Sequence, residues 1–292
     1  MPPVAFLTLE DRTGFVIDDA IAIEELARRG VAVEEVPWTR PGVDWRAYSA
    51  IVVRTPWDYQ HDLPAFLALL ARIEALGVPL ANPAALVRWN AHKSYLRDLS
   101  DRGVPIVPTR WGRGMTAPAL RALPAGLGVS ECVLKPVVGA NADDTFRVTA
   151  ALDDAAAADI AARFQSREWM AQPFVAAVVA EGEHSLFYFG GRLSHAVTKR
   201  PKAGDFRVQE EHGGLILALE PDEPMRAAGQ RVMDALEPAP LQARVDLVRL
   251  SGGTLALMEL EAIEPSLYFR MHPDAPAHFA DALGAWLAAP RA

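Results

Sequence analysis

The sequence predicts a mixed α/β protein in which an N-terminal Rossmann-like unit precedes a larger α+β region. Two features of the chain predict this: strand and helix patterns alternate over about the first eighty residues, and extended runs dominate thereafter. A third is composition, because 51% of the 292 residues are hydrophobic and 23% are charged, which is typical of a globular chain long enough to bury a core.

The first region consists of repeated strand–helix units. Because such units form a parallel sheet covered by helices, residues 1–83 are predicted to form one Rossmann-like unit. Ligands of these sheets bind beyond the carboxyl ends of the strands, where Arg54 stands. The predicted strands are Val4 to Leu9, Val31 to Val36, Ala50 to Val53 and Val78 to Ala81, and the helices are Asp18 to Arg29 and Leu63 to Leu76.

The pattern changes after Asn82-Pro83, and the rest of the chain is predicted to be α+β, with a cleft where it meets the first unit. The predicted helices are Ala84 to Arg88, Ala91 to Arg102, Pro118 to Leu123, Ala155 to Phe164 and Met225 to Leu236. The predicted extended runs are Val104 to Trp111, Glu131 to Val138, Trp169 to Val175, Ser185 to Phe189, Leu193 to Thr198, Leu215 to Leu219, Gln242 to Leu250 and Thr254 to Leu260.

Charge and hydropathy exclude several classes of function. The 29 Lys and Arg residues against 37 Asp and Glu give a net charge of −8, the wrong sign for binding a nucleic-acid backbone. The apolar runs are short and no basic leader precedes a long one, so we expect a cytoplasmic protein without a membrane partner. The single cysteine, Cys132, lies in an apolar stretch and is predicted to be a buried thiol.

Familiar catalytic motifs are absent from the sequence. There is no Walker A loop, no His-Glu-x-x-His and no Gly-x-Ser-x-Gly, and the seven histidines show no metal-ligand spacing. Gly112 to Ala117 matches a relaxed dinucleotide fingerprint, but it lies in mid-chain and Pro118 follows at once, so a turn is favoured. The alternative is that this segment binds a dinucleotide, in which case the protein would be a dinucleotide-dependent oxidoreductase.

Two lysines point to an anionic ligand. If Asn90 caps a helix, Lys93 lies in its first turn, where the helix dipole disfavours a cation and a nearby anion would explain it. Lys135 ends an apolar strand and is followed by small residues from Gly139 to Thr145, whose backbone N–H groups can wrap a phosphate. The alternative is that Lys93 is solvated and Lys135 extends to solvent from an edge strand.

Three carboxylates near the C-terminus suggest a metal site. A Gly252-Gly253 turn joins two strand patterns, which places Glu259 and Glu261 on one face, opposed by Asp246. Such a cluster is costly unless cations neutralise it, and oxygen-only ligands suit Mg²⁺. The alternative is an exposed acidic face.

The segment from Lys199 to Gly214 is basic at one end and closes on a glycine pair. As a mobile lid it would deliver Arg207 to a phosphate or carboxylate, which a guanidinium binds in a bidentate manner. The alternative is an ordinary surface loop.

At these residues the sequence resembles the ATP-grasp superfamily, in the branch of glutathione synthetase, ribosomal-S6-modifying ligase and D-alanine–D-alanine ligase. The resemblance spans nearly the whole chain and implies an N-terminal domain over 1–83 and two ATP-grasp subdomains over 84–173 and 174–292. It implies ATP and two Mg²⁺ ions as cofactors, and an amino-acid-like small-molecule substrate. The oligomeric state stays open.

The resemblance also implies residue roles. Lys93 and Lys135 resemble the two ATP-binding lysines, and the run through Gln172, Phe174 and Val175 resembles the adenine hinge. Glu183 falls at the ribose-binding acid. The remaining matches are Arg207 in the Phe-Arg-x-Asn stretch, where Gln209 replaces the asparagine; Arg244, which faces the tetrahedral intermediate; and the metal ligands Asp246, Glu259 and Glu261, the last replacing an asparagine.

Within the superfamily the sequence is similar to the cycloserine synthetase group, in Arg54 to Tyr59, Trp89-Asn90, Asp205 to Gln209 and Glu264-Pro265-Ser266. This resemblance implies an ATP-dependent, ADP-forming ligase that makes a C–N bond on an amino-acid-derived carboxylate, with ring closure inside one molecule. Arg54 and Ser266 are candidate substrate contacts, or else structural hydrogen bonders. The rival functions are a nucleotide-binding module without ligase activity and the oxidoreductase.

Overall fold

The computed structural model describes residues 2–290, which form three sheets covered by helices. The first sheet is parallel, with the strand order β2-β1-β3-β4. Asp62 accepts the N–H of Ala65 at the start of its second helix, and Gly77, at a φ of +74°, follows the end of that helix. Its elements are β1 (Val4–Thr8), α1 (Asp19–Arg28), β2 (Val33–Pro37), β3 (Ala50–Thr55), α2 (Leu63–Ala75) and β4 (Leu80–Ala81).

The second sheet is antiparallel, with the order β5-β8-β6-β7, and two helices pack on it. Both helices begin at side-chain caps, Thr116 for the first and Asp153 for the second. The elements of this part are α3 (Ala84–Asn90), α4 (Tyr95–Asp101), β5 (Arg110–Arg113), α5 (Ala117–Gly126), β6 (Glu131–Pro136), β7 (Phe146–Thr149), α6 (Asp154–Arg163) and β8 (Glu168–Pro173).

The third sheet is also antiparallel, with the order β11-β10-β9-β12-β13. Its elements are α7 (Ala177–Ala180), β9 (Glu183–Phe189), β10 (Arg192–Arg200), β11 (Leu215–Leu219), α8 (Glu223–Asp234), β12 (Gln242–Arg249), β13 (Leu255–Glu261) and α9 (Ala275–Ala288).

The first and third sheets share one core. Phe6 of β1 packs edge-on against Phe279 of α9, and Phe279 also contacts Phe189 of β9. A cluster that contains residues from both sheets and from α9 holds the N-terminal region against the C-terminal one. No helix within the described residues is long and apolar enough to cross a membrane.

Several local predictions are wrong. Asn90 ends α3 instead of capping the next helix, so Lys93 lies in the connection between α3 and α4 and not in a first helical turn. Of the predicted Val104 to Trp111 run only Arg110 and Trp111 belong to a strand, β5 of the second sheet, which continues to Arg113; Ile106 bridges to Leu257 of β13. The strand β7, just after the small-residue loop, was not predicted.

The Gly112 to Ala117 segment is a turn only in its second half. Gly112 and Arg113 belong to β5, and a Cβ built at Gly112 would lie 2.2 Å from the Trp169 side chain. This glycine therefore makes room for an indole ring. The geometry gives no support to a phosphate-binding loop here, because none of these residues lines the cleft described below.

Candidate active site

A cleft of about 1160 Å³ is lined by residues of the second and third sheets and of the loops between them. Tyr59, which follows β3 of the first sheet, also reaches it. The structure brings nine of the predicted site residues together on its walls, and these are Lys93, Lys135, Gln172, Phe174, Val175, Glu183, Arg207, Glu259 and Glu261.

Lys93 is held at the cleft by its backbone and paired through its side chain. Its N–H donates to the carbonyl oxygen of Val137 at 2.8 Å, and its Nζ donates to the carboxylate of Glu259. Just before it, the Asn90 side chain donates to the carbonyl of Leu260 and accepts from the N–H of Ala262. Burial alone would lower the pKa of Lys93, but the Glu259 carboxylate outweighs burial and the pKa is raised.

Lys135 is the contrasting lysine. It is on β6 in register with Met170 of β8, and within residues 2–290 no carboxylate lies at ion-pairing distance from it. Burial lowers the pKa of Lys135, and the nearby Lys93 adds to this. Lys135 is therefore a desolvated cation without an ion-pairing carboxylate in residues 2–290, and an anionic ligand would bind favourably beside it.

The predicted pairing of the acidic hairpin is correct. On β12 and β13, Asp246 lies opposite Glu259, and Arg244 lies opposite Glu261. The Arg244 guanidinium donates from Nε and Nη2 to Asp246 and from Nη2 to Glu261. Protein cations therefore neutralise the cluster.

Lys199 of β10 completes this ion network. Its Nζ lies 2.6 Å from Glu183 and 3.3 Å from Asp246. Ser185 also donates to Asp246, at 2.5 Å, so that carboxylate is surrounded by donors and is not among the cleft-lining residues. Despite burial, Arg244 and Lys199 hold the pKa of Asp246 well below its usual range.

Glu261 behaves differently from Asp246. Burial raises the pKa of Glu261 to about 7; the Arg244 guanidinium opposes this shift, whereas the negative charges of Asp246 and Glu259 reinforce it. Its side chain is 26% exposed and that of Glu259 is 25% exposed, against 2% for Asp246. The two glutamates therefore present carboxylate oxygens to the cleft.

The far wall of the cleft is formed by the end of β8 and the residues after it. Gln172 donates from Nε2 to the hydroxyl of Thr109 at 3.1 Å, which holds its side chain against the chain segment before β5. The Phe174 ring carries the Arg147 guanidinium 4.0 Å from its centroid. Together with Val175, these residues form a partly apolar surface.

Two loops cover the cleft. In residues 139–145, Asn141 donates from Nδ2 to the carbonyl of Trp57 at 3.1 Å, and its own carbonyl contacts His212 Nε2 at 3.2 Å. Asp144 pairs with Arg163 and Arg167 of the α6 region. Asn141, Ala142 and Asp144 all have φ between +49° and +57°, so this loop adopts left-handed backbone without glycine.

Arg207, from the second loop, pairs with Asp205 at 2.8 Å. The Arg207 guanidinium holds the pKa of Asp205 well below its usual range. The side chain of Arg207 is 37% exposed, so the guanidinium lines the cleft while remaining open to solvent.

Four predicted site residues do not line the cleft: Arg54, Arg244, Asp246 and Ser266. Of the two interpretations of Arg54, substrate contact and structural hydrogen bonder, the geometry supports the second, because its side chain is only 1% exposed. It donates to Asp19 of α1 at 2.7 Å and to Gln242 of β12 at 2.8 Å. Arg54 thus links the first sheet to the third. Ser266 is half-buried in the loop after β13.

Among the further residues that line the cleft are Tyr59 and Glu264, neither of which was in the predicted site. Glu264 is 8% exposed, and burial together with the neighbouring Glu261 raises the pKa of Glu264 to about 8. The sequence signal for both was present in the segments that resemble the cycloserine synthetase group. Their place in the cleft could not be predicted from sequence, because the contact between Tyr59 and Glu264 joins residues more than 200 positions apart.

Within the described part of the chain, no three His, Cys, Asp or Glu side chains are grouped so as to hold a metal ion. Glu259 and Glu261 offer oxygen donors of the kind that Mg²⁺ prefers, whereas the oxygens of Asp246 are taken by Arg244, Lys199 and Ser185. The glutamate pair therefore fits a magnesium ion, and Asp246 as a third ligand stays a prediction.

The chain is similar to proteins of cycloserine biosynthesis. Residues 4–82 match the family model of the D-cycloserine synthetase DcsG N-terminal domain. Over 265 residues the chain is 32% identical to the cycloserine biosynthesis protein DcsG of Streptomyces lavendulae, covering 87% of this chain and 88% of that protein. The crystal structure of D-cycloserine synthetase DcsG matches with a TM-score of 0.86 at 30% identity, over 97% of this chain and 99% of that one.

More distant structures share the fold alone. The ATP-grasp ligase PsnB, complexed with its minimal precursor, matches with a TM-score of 0.65 at 19% identity, over 98% of this chain and 99% of that one. D-alanine–D-alanine ligase from Bacillus anthracis, complexed with ATP, matches with a TM-score of 0.67 at 14% identity, over 97% and 95%. The three sheets are thus arranged as in ATP-grasp ligases, and by its identity and coverage the chain belongs to the family of the cycloserine biosynthesis protein DcsG.

Proposed function

We propose that the protein is an ATP- and Mg²⁺-dependent carboxylate–amine ligase that closes a ring within an amino-acid-like substrate. The observation that carries the proposal is the cleft, in which Lys93 and Lys135 lie beside Glu259 and Glu261 in a chain of the DcsG family. Paired lysines suit the phosphates of a nucleotide, and partly exposed glutamates suit the hard cation that accompanies them.

In this proposal ATP lies along the cleft. Its adenine packs against the surface of Gln172, Phe174 and Val175, its ribose approaches Glu183, and its phosphates extend towards Lys135 and the 139–145 loop. Support comes from the chemistry of each wall, which is apolar at the hinge and cationic at Lys135. The proposed division of labour is a substrate-binding unit over 1–83 and two nucleotide-binding lobes over 84–173 and 174–292.

Glu259 and Glu261 would hold magnesium, which when bound would neutralise charge on the phosphates. Their oxygens face the cleft and are shared with one cation each, Lys93 and Arg244. This donor set supports at least one ion. When magnesium binds Glu259, that carboxylate no longer needs Lys93 as its counter-ion. Lys93 can then turn from Glu259 towards a phosphate of the nucleotide.

The chemistry then follows from the poor reactivity of a carboxylate. Transfer of the terminal phosphoryl group of ATP to the substrate carboxylate gives an acyl phosphate and ADP; a nitrogen of the same molecule attacks the carbonyl, the C–N bond forms and phosphate leaves. Lys135 neutralises the transferred group, and Arg244 stabilises the oxyanion. Arg244 does not itself line the cleft and is 9% exposed, but it pairs with Glu261, which does. Its Nη1 makes no hydrogen bond within residues 2–290, and the proposal assigns this donor to the oxyanion.

The test is to incubate the protein with MgATP and pools of amino acids and amino-acid-derived acids, and to measure ADP, AMP and phosphate by chromatography. We expect ADP and phosphate in equal amounts with one pool only, and a product lighter than its substrate. AMP with pyrophosphate would overturn the acyl-phosphate route. Nucleotide binding with no product from any pool would favour a binding module without ligase activity.

A further inference from the structure

Within the described residues, one buried acid of the cleft has no ion-pairing cation. Three other acids on its walls have one: Glu183 pairs with Lys199, Glu259 with Lys93, and Glu261 with Arg244. Glu264 is 8% exposed and lines the same cleft, yet no Lys, Arg or His of residues 2–290 lies within ion-pairing distance of it. The cleft thus contains an unmatched buried acid.

The position of Glu264 is fixed by the residues around its backbone. Its carbonyl accepts the indole N–H of Trp57 at 2.8 Å. Two residues earlier, the Ala262 carbonyl accepts from Asn82 at 2.7 Å and the Ala262 N–H donates to Asn90 at 2.8 Å. These contacts fix the backbone that carries the Glu264 side chain, and because the residue is 8% exposed its carboxyl group has little access to bulk water.

The Tyr59 hydroxyl is a hydrogen-bonding neighbour of the Glu264 side chain. Tyr59 is 4% exposed and comes from the N-terminal region, so Glu264 lies on the part of the cleft wall that this region completes. A neutral phenol supplies no counter-charge. Burial and the negative charge of Glu261 raise the pKa of Glu264 to about 8, and the charges of Lys93 and Arg244, which lie beyond ion-pairing distance of it, offset this only in part.

The unpaired acid identifies the chemistry of its partner, because a cation that enters beside Glu264 favours the ionised carboxylate. The nucleotide phosphates are anions and belong beside the lysines, and Glu261 already has Arg244. What remains is an organic cation small enough for a buried position, and in an amino-acid-like substrate that cation is the ammonium group. An ammonium donates hydrogen bonds to a carboxylate in a charge-assisted contact.

We propose that Glu264 binds the ammonium group of the substrate and thereby selects amino acids over acids that lack an amine. This inference rests on the proposed ligase function. It assigns a specificity-determining residue outside the glutamate pair that would hold magnesium, and it places the amine of the substrate between Tyr59 and Glu264 at the end of the cleft that the N-terminal region lines.

The test compares two probes that differ only by the amine: D-cycloserine, and isoxazolidin-3-one, which is cycloserine without its amino group. Binding is measured by calorimetry in the presence of MgADP, for the unaltered protein and for Glu264→Gln. We expect the unaltered protein to prefer the amine by about 10–100-fold, and Glu264→Gln to lose that preference while binding MgADP as before.

Glu211→Gln is the matched control, because it removes an exposed glutamate that has no ion pair in the described residues and does not line the cleft. It should retain the preference. A preference that survives in Glu264→Gln would overturn the inference and leave the ligase function standing. Failure of the unaltered protein to bind either probe would overturn ring closure of the cycloserine type, and the inference with it. Thermal unfolding of each variant reports whether it is folded.

Discussion

At the scale of single residues, the two lysines of the cleft differ in what their removal leaves behind. Lys93 pairs with Glu259, so its loss strands a carboxylate, whereas Lys135 has no ion pair within residues 2–290 and its loss leaves Glu259 with its direct partner. A buried cation without a partner costs folding free energy, and it is retained where a ligand needs it.

We therefore expect Lys135→Met to raise the free energy of unfolding by about 1 kcal/mol while it weakens MgATP binding about 10–100-fold. Lys93→Met should weaken binding similarly but lower the free energy of unfolding by about 1–3 kcal/mol, because Glu259 is left unpaired. Denaturant unfolding and nucleotide titration measure both effects. A Lys135→Met protein that is less stable than the unaltered chain would contradict this account of the site.

Arg244 offers a second prediction at this scale. Arg244→Lys keeps a positive charge beside Asp246 and Glu261 but removes the planar guanidinium and its free Nη1 donor. We expect turnover to fall about 10²–10³-fold with little change in MgADP affinity, since the lost contact forms with the oxyanion. Arg249→Lys, an exposed change on the same strand, is the control. Equal losses of turnover and affinity would assign Arg244 to nucleotide binding instead.

At the scale of elements, the 139–145 loop departs most from expectation. Small residues predicted a flexible phosphate-wrapping loop, yet three non-glycine residues in left-handed backbone are held by side-chain contacts at both ends. Strained backbone of this kind persists only where its surroundings enforce it. Asp144, which is paired with Arg163 and Arg167, is the anchor on the α6 side.

Asp144→Ala should release that anchor. We expect hydrogen exchange of the loop amides to become several-fold faster and bound MgATP to dissociate faster, while global stability changes by less than about 1 kcal/mol, because both arginines are well exposed. Asp159→Ala, which removes another carboxylate paired with Arg163, is the control and should leave the loop unchanged. Unchanged exchange in Asp144→Ala would show that Asn141 alone holds the loop.

Most elements were predictable from local pattern, because hydrophobic periodicity and caps are local properties. The hairpin that sets Asp246 opposite the two glutamates was predicted, since a period of two and a glycine turn indicate it; the shift of register beside Asp246, which pairs it with Glu259, was not. Lys93 was misplaced because Asn90 is a good cap by type, but its side chain is used by β13, 170 or more positions away. The unpaired state of Glu264 was invisible for the same reason: it depends on which cations fold next to it.

At the scale of the whole molecule, the family membership confirms the predicted ATP-dependent ligase and the resemblance on which it was based. Arg54 shows what sequence could not supply. Its place at a strand end suggested a ligand contact, whereas the third sheet covers that end and turns the residue into a buried link between Asp19 and Gln242. Such a role follows only from how two distant regions dock.

Removing one partner of the Arg54–Asp19 pair should lower the free energy of unfolding more than removing both. Arg54→Met leaves Asp19 charged and buried, so we expect the free energy of unfolding to fall by about 3–5 kcal/mol. Adding Asp19→Asn removes that charge and should restore more than half of the loss, as urea unfolding followed by tryptophan fluorescence will measure. If the losses of the two single variants simply add in the double variant, the pair is not coupled.

The single cysteine, Cys132, is buried on the cleft-lining strand β6 and can report on the opening of the second sheet. Cys132 lies on β6, three positions before Lys135, is completely buried, and burial raises the pKa of its thiol to about 11. A thiol reagent can therefore modify it only when the second sheet opens, and the labelling rate reports that opening in the unaltered chain. The labelling rate of Cys132 therefore tests whether a nucleotide bound at Lys135 stabilises the second sheet. Slower labelling in the presence of MgATP than in its absence would show this coupling.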